Sequence, residues 1–148
     1  MYVLDTNIVS ISAPGRAADA VGVTAWMRRH QASLFVSVMS ITEVERGILR
    51  LYRTGGARKA ADLRQWLHLM TLMYGPRLLP FDLPVALVLA RLGDRAQGAG
   101  LTPGLADLII AATADTHGFT VVTRNVRHFA GLGVPVLDPY EASQGTTQ

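Results

Sequence analysis

Residues 1–7, MYVLDTN, join a short apolar run to a polar turn. The apolar run over residues 1–4 predicts a first β-strand, and Thr6 and Asn7 are turn and cap residues that lead into a helix. Asp5 follows the strand directly. Functional groups of parallel α/β sheets gather at the carboxyl ends of the strands, so Asp5 is a candidate functional carboxylate. As a lone residue it fits an Asx turn or a helix cap equally well.

Short apolar runs alternate with helical patterns through the rest of the chain. Further strands are predicted at Leu34–Ser37, Leu78–Leu79, residues 119–123 and residues 134–137. Helices are predicted over residues 17–30, residues 40–53, Ala57–Tyr74, residues 85–98 and residues 103–117. Strands that alternate with helices predict an α/β fold, in which a parallel sheet is covered by helices on both faces.

Glu43 has a structural and a functional interpretation. The segment from Ser40 to Glu43 matches a capping box, in which the Glu side chain reaches back to the backbone of the cap residue. The functional alternative rests on Gly47, which lies one turn further along the same helix face and leaves room for a ligand.

Asp107 falls in a predicted helix that is apolar almost all round, a pattern typical of a buried helix. Thr102 is the predicted N-cap and Pro103 the first helical residue, so Asp107 lies too far along to cap the helix. Burial of an unpaired carboxylate is very costly, so Asp107 needs a partner. That partner is either an Arg, in a structural salt bridge, or a metal ion.

Asn125 follows the predicted strand of residues 119–123, where its side chain either forms a turn or reaches a shared site. The four histidines show no metal-ligand spacing and are interpreted as surface or helix-end residues. No glycine-rich phosphate loop or nucleophile elbow occurs in the sequence.

The composition predicts one globular domain. The chain has 148 residues, of which 49% are apolar and 17% charged, and it has no cysteine, which fits a reducing cytoplasm. Asp5 interrupts the first apolar run, and no apolar stretch reaches about 18 residues, so neither a secretory leader nor a membrane helix is expected. The formal charge of +3 rests on Arg, with Lys59 the one lysine. A basic surface attracts phosphate, although Arg richness also accompanies GC-rich codons.

Five segments together resemble the PIN-domain family, and within it the VapC-like toxins. Their order and spacing agree from Tyr2 to about Pro139. The segments are Val3-Leu4-Asp5-Thr6-Asn7, Ser40-Ile41-Thr42-Glu43-Val44, Leu79-Pro80-Phe81-Asp82, Ala106-Asp107-Leu108-Ile109-Ile110-Ala111-Ala112 and Val122-Thr123-Arg124-Asn125.

The resemblance implies a three-layer α/β/α fold over residues 1–141, followed by a short polar tail of residues 142–148. It implies an acidic catalytic site of Asp5, Glu43 and Asp107, with Asp5 and Asp107 as ligands of Mg²⁺ or Mn²⁺. Asn125 occupies the place where family members often carry a fourth acidic residue. Thr6 or Asn7 is expected to assist the site.

The same resemblance implies a cytoplasmic endoribonuclease that acts as the toxin of a toxin–antitoxin pair. Its expected partners are an RNA substrate, a small antitoxin protein and a second copy of the chain. Three arginines near the acidic residues in sequence are candidates for RNA contacts: Arg46, Arg50 and Arg124.

Two other functions are compatible with an acidic α/β site. A Mg²⁺-dependent phosphotransfer domain, such as a receiver domain or a haloacid-dehalogenase-like phosphatase, needs a Lys near the phosphate. The only candidate, Lys59, lies far from any predicted strand end. A non-catalytic RNA- or protein-binding module would have no need for three buried carboxylates, and their presence argues against it.

Overall fold

The computed structural model describes residues 1–16 and 20–144 of the chain. Its five strands are β1 (Tyr2–Leu4), β2 (Leu34–Ser37), β3 (Leu78–Leu79), β4 (Thr120–Val122) and β5 (Val136–Leu137). Its helices, in chain order, are α1 (Thr6–Val9), α2 (Val21–Arg29), α3 (Val38–Arg53), α4 (Ala57–Tyr74), α5 (Leu83–Gly98), α6 (Leu105–His117), α7 (Val126–Phe129) and α8 (Pro139–Gln144).

The strands form one parallel sheet in the order β3-β2-β1-β4-β5. β1 is the central strand, and its Leu4 is in register with Val36 of β2 and Val122 of β4. The carboxyl ends of these three strands therefore lie side by side. The predicted parallel sheet is confirmed, and the residues that follow β1, β2 and β4 are neighbours in space.

Side-chain alternation along the strands divides the core into two layers. Leu4 and Val122 pack with helices α1 to α4 on one face of the sheet. Val3 and Val121 pack with α5 and α6 on the other face. Successive residues of a strand point to opposite faces, so each of these short strands contributes to both layers. The three-layer α/β/α arrangement expected from the resemblance is confirmed.

Helix α3 begins three residues earlier than the predicted capping box requires. The Ser37 hydroxyl accepts a hydrogen bond from the Met39 amide at 3.2 Å and caps the helix. Ser40 is fully buried, and its hydroxyl donates to the Leu4 carbonyl at 3.5 Å. The prediction of a Ser40–Glu43 capping box is wrong. Strand β2 passes directly into α3, so Ser37 takes the cap position instead of Ser40.

Helix α6 begins later than predicted. Gly104, in an extended conformation, is its N-cap, so Thr102 and Pro103 belong to the preceding loop. Asp107 consequently lies in the first turn of the helix. The amide groups of a first turn are unpaired and favour a nearby negative charge, which stabilises a carboxylate at this position.

The predicted bounds of β2, α4 and β3 are confirmed, whereas the short helices α7 and α8 were not predicted. Helix α8 crosses the predicted boundary between residues 141 and 142. The predicted start of α2 at residue 17 falls outside the described residues. In the part of the chain that the structure describes, no helix is long and apolar enough to cross a membrane.

Candidate functional site

Asp5 lies at the carboxyl edge of the sheet, between the ends of β1 and β4. Its amide donates to the carbonyl of Val122 at 2.9 Å, which continues the pairing of the two strands by one residue. The Asp5 residue is only 5% exposed. The central position of β1 in the sheet therefore buries a carboxylate among three strand ends.

Three donors hold the Asp5 carboxylate. Oδ1 accepts the Thr6 amide at 2.6 Å, which makes Asp5 the N-cap of α1. Oδ2 accepts the Thr123 hydroxyl and the Asn7 side-chain amide, both at 2.7 Å. A carboxylate offers about four acceptor positions, so one position, on Oδ1, stays free. Asp5 is thus a helix cap and a fixed carboxylate at the same time, and the two interpretations of this residue do not exclude each other.

Burial raises the pKa of the Asp5 carboxyl above its ordinary value. The hydrogen bonds from Thr123 and from the Thr6 amide favour the charged form and lower this pKa, while the charges of Asp107 and Glu43 raise it again. The net direction is upward, because desolvation has the largest effect. The charged form of Asp5 would therefore be stabilised by a nearby cation.

Glu43 faces Asp5 across the cavity from the second turn of α3. Its Oε2 accepts a short hydrogen bond from the Thr6 hydroxyl, which joins α3 to the residue directly after Asp5. The carboxylate therefore points toward the sheet edge and not toward the start of its own helix. Thr6 thereby has a positioning role of the kind the resemblance implied.

Asp107 is less buried than the sequence predicted, and its side chain pairs with a histidine. Its side chain is 22% exposed, and its Oδ2 lies 3.1 Å from Nδ1 of His128. The prediction of a buried carboxylate that needs an Arg or a metal is wrong on its first premise, because α6 begins at Leu105 and leaves its first turn open to the cavity. No Arg pairs with Asp107 among the described residues.

One cavity of about 640 Å³ collects all four predicted site residues. Asp5, Glu43, Asp107 and Asn125 line its wall together with Thr6, Asn7, Ser10, Arg16, Met39, Arg46, Gly104, Leu105, Ala106 and His128. Asn125 is exposed, and its backbone amide donates to the Thr123 hydroxyl at 2.9 Å. The turn after β4 therefore directs this residue to the cavity through the same threonine that holds Asp5.

The donor set suits a hard divalent cation. The acidic groups are oxygen donors, and Asp5 keeps a free acceptor position. Within residues 1–16 and 20–144, no three Asp, Glu or His side chains come close enough to enclose a metal ion. Mg²⁺ commonly binds through one or two carboxylates and keeps several waters, so it does not require a closed set of three protein ligands.

Two contributors to the site were missed in the sequence. Thr123 was predicted only as the end of a strand, yet its hydroxyl contacts both Asp5 and Asn7. His128 was interpreted as a surface residue, and it is 56% exposed, but it also pairs with Asp107. The strand order supplies the missing signal for Thr123, because only the adjacency of β1 and β4 brings it to Asp5.

Known proteins resemble this chain over nearly its full length. The family model described as PIN domain matches residues 2–133. VapC ribonuclease Y4jK of Sinorhizobium fredii is 34% identical over 95% of this chain and 99% of its own length. Toxin FitB of Neisseria gonorrhoeae is 33% identical, again over 95% of this chain and 99% of its own length.

A solved structure agrees with this assignment. The crystal structure of FitAcB from Neisseria gonorrhoeae contains a chain with a TM-score of 0.83 and 32% identity, and the match covers 95% of this chain and 99% of that one. The resemblance found in the five sequence segments is therefore confirmed by the family model, by relatives and by the fold. The chain belongs to the PIN domain family.

Proposed function

We propose that this protein is a metal-dependent endoribonuclease that acts as the toxin of a toxin–antitoxin pair. The observation that carries the proposal is the cavity at the carboxyl edge, where the buried Asp5 is joined by Glu43 and Asp107. Family membership and the relatives named as a VapC ribonuclease and a toxin support the same activity.

Asp5 and Asp107 would hold a Mg²⁺ or Mn²⁺ ion. Such an ion, when bound, neutralises negative charge on the phosphoryl oxygens and makes a water molecule more acidic. Thr123 and Asn7 keep Asp5 in one orientation, so that its free acceptor position faces the cavity. Preorganised ligands of this kind do not have to reorganise when charge develops in the transition state.

Glu43 is the candidate general base. Its Oε2 is engaged by the Thr6 hydroxyl, whereas Oε1 accepts no hydrogen bond within the described part of the chain. Oε1 is thus free to take a proton from a water that attacks the phosphorus atom. Asn125 is exposed in the wall of the same cavity, where its side-chain amide can donate to a phosphate oxygen of the RNA.

A small antitoxin is the proposed regulatory partner, and the cytoplasm the proposed place of action. A ribonuclease that shares its compartment with cellular RNA has to be held inactive, and the acidic cavity offers a target for an inhibitor. An Arg of the antitoxin would pair with these carboxylates through its planar fork of donors.

Mutation of the acidic residues tests the proposed activity. Asp5→Asn and Asp107→Asn should each lower RNA cleavage in Mg²⁺ or Mn²⁺ by about 10²-fold or more, because each removes a major electrostatic group. Asp115→Asn is the matched control, since Asp115 is exposed on the same helix as Asp107 but does not line the cavity. Cleavage at the wild-type rate by either cavity variant would refute the site.

A phosphate-trapping experiment separates the phosphotransfer alternative. Lys59 does not line the cavity that contains Asp5. We therefore expect no phosphorylated aspartate after incubation with small phosphodonors. The expected result is a protein that cleaves RNA but carries no covalently bound phosphate.

A further inference from the structure

Helix α3 carries two charged faces that differ in pairing. On one face Glu45 accepts a hydrogen bond from Arg64 of α4 at 2.5 Å, so its charge is neutralised within the protein. On the face of Glu43 lie Arg46, Arg50 and Arg53, all of them exposed. None of these three arginines has a carboxylate partner among the described residues.

The three arginines form a row that leads away from the acidic cavity. With about 100° of rotation per residue, Glu43 and the three arginines fall within about 80° of one another around the helix. With a rise of about 1.5 Å per residue, the row extends about 15 Å from Glu43 to Arg53. Arg46 also lines the cavity itself, so the row begins at the site and continues outward.

The grooves on both sides of the row contain basic side chains, and the wall of the larger groove also contains apolar ones such as Leu63 and Trp66. One groove of about 400 Å³ is lined by Glu43, Arg46, Gly47, Leu49, Arg50 and Arg53. The other, of about 780 Å³, contains Arg16, Arg50 and Lys59 in its wall. Among the residues that the structure describes, Glu43 is the only acidic one in either wall. A Cβ atom at Gly47 would meet no protein atom within 4 Å, so the surface between the grooves is open.

We propose that Arg46, Arg50 and Arg53 bind the phosphate backbone of a single RNA strand as it leaves the cavity along α3. This inference rests on the proposed ribonuclease function. Guanidinium groups match phosphate geometry with paired donors, and an exposed row of them gains affinity by releasing counterions from the nucleic acid. The acidic cavity and the basic row then have separate roles, since one would bind the cation and the other the polyanion.

The choice of RNA over an acidic protein segment follows from the composition of the row. Protein interfaces have a desolvated core that is rich in apolar and aromatic side chains. The wall of the smaller groove offers one exposed large apolar side chain, Leu49, against three arginines. Contacts dominated by cations at one-turn intervals suit a charged backbone that carries no sequence information.

Binding in EDTA tests the row independently of cleavage. The probe is a labelled oligouridylate, titrated against wild-type protein over a series of salt concentrations. Arg46→Gln, Arg50→Gln and Arg53→Gln should each weaken binding and reduce the slope of log K against log salt by about 0.7, the value for one phosphate contact of a single strand. The triple variant should lose about 2 from the slope.

A further variant serves as the control. Arg29→Gln replaces an exposed arginine at the end of α2 that leads into β2, on the opposite edge of the sheet, and should leave the slope unchanged. Thermal melts should show that the variants stay folded, because all the altered side chains are exposed.

The outcomes distinguish this proposal from the function on which it rests. A triple variant that binds the oligouridylate with wild-type affinity and salt dependence would refute RNA binding by the three arginines. Loss of antitoxin binding without loss of RNA binding would also overturn it, in favour of a protein-binding surface. If the arginine variants lower the slope as expected but wild type cleaves no RNA in Mn²⁺, RNA binding by the three arginines is supported and the nuclease proposal fails.

Discussion

Asp5 and Asp107 line the same cavity but differ in burial and in the number of hydrogen bonds that hold them. Asp5 is 5% exposed and is held by three hydrogen bonds at the end of the central strand. Asp107 is on the first turn of a helix, is 22% exposed and has a single, more exposed partner in His128. The sheet thus preforms one half of the site, while the other half remains adjustable. The two halves should respond differently to mutation, metal and pH.

Thr123→Val should produce the largest effect of a change outside the acidic residues. It removes the hydroxyl that fixes Asp5 Oδ2 and leaves the buried carboxylate with one donor fewer. Loss of a group that orients a metal ligand typically lowers activity or metal affinity by about 10–100-fold. Unfolding free energy should also fall by about 1–3 kcal/mol. Steady-state cleavage and a denaturant titration measure the two effects.

Thr123→Ser is the control, because it restores the hydroxyl without the methyl group. It should recover most of the cleavage rate. Equal losses of cleavage in both variants would show that Thr123 acts by packing alone. The Thr123 hydroxyl would then not be what holds Asp5 in place.

Metal should stabilise the protein only when both halves are intact. Wild type should gain about 2.7 kcal/mol of unfolding free energy at a hundredfold excess of Mn²⁺ over its Kd. Asp107→Asn should unfold in EDTA at or above the wild-type temperature, because it removes a charge that repels Asp5. It should gain little from Mn²⁺. Calorimetric melts in EDTA and in Mn²⁺ make the comparison, and a full Mn²⁺ gain in this variant would exclude Asp107 as a ligand.

The raised pKa of Asp5 predicts how stability depends on pH. Because the folded-state pKa lies above the unfolded one, the stability associated with protonated Asp5 is fully present below the unfolded pKa of about 4 and is lost as the pH rises through the folded pKa. In EDTA, wild type should therefore become progressively less stable relative to Asp5→Asn as the pH is raised from about 4 to neutrality. A difference that does not change over this interval would mean that Asp5 titrates as in the unfolded chain.

His128→Ala should have the smallest effect on stability. The contact of His128 with Asp107 is largely exposed, and even exposed ion pairs contribute only about 0–1 kcal/mol. We expect the unfolding midpoint in EDTA to stay close to that of wild type. Chemical denaturation checks this, and a loss as large as that of Thr123→Val would show that the Asp107 half is as rigid as the Asp5 half.

The sequence alone was sufficient to predict the fold class and to select the three acidic residues that line the cavity, Asp5, Glu43 and Asp107. Short apolar runs alternating with helical patterns are local signals, so they predicted the parallel sheet and the bounds of β2, α4 and β3. Asp5 could be placed because it directly follows a strand, and Asn125 because it lies in the turn after another. Their catalytic and metal-binding roles stay predictions.

Tertiary structure decided which partner each carboxylate has. Glu43 matched a local capping box, but its hydrogen bond goes to Thr6, 37 residues away in sequence. Asp107 was expected to be buried, but Gly104 starts the helix and opens its first turn to the cavity. Thr123 reaches Asp5 across 118 residues because β4 pairs with β1. Such contacts depend on strand order and on where helices begin, which the packing of the whole chain determines and no local pattern encodes.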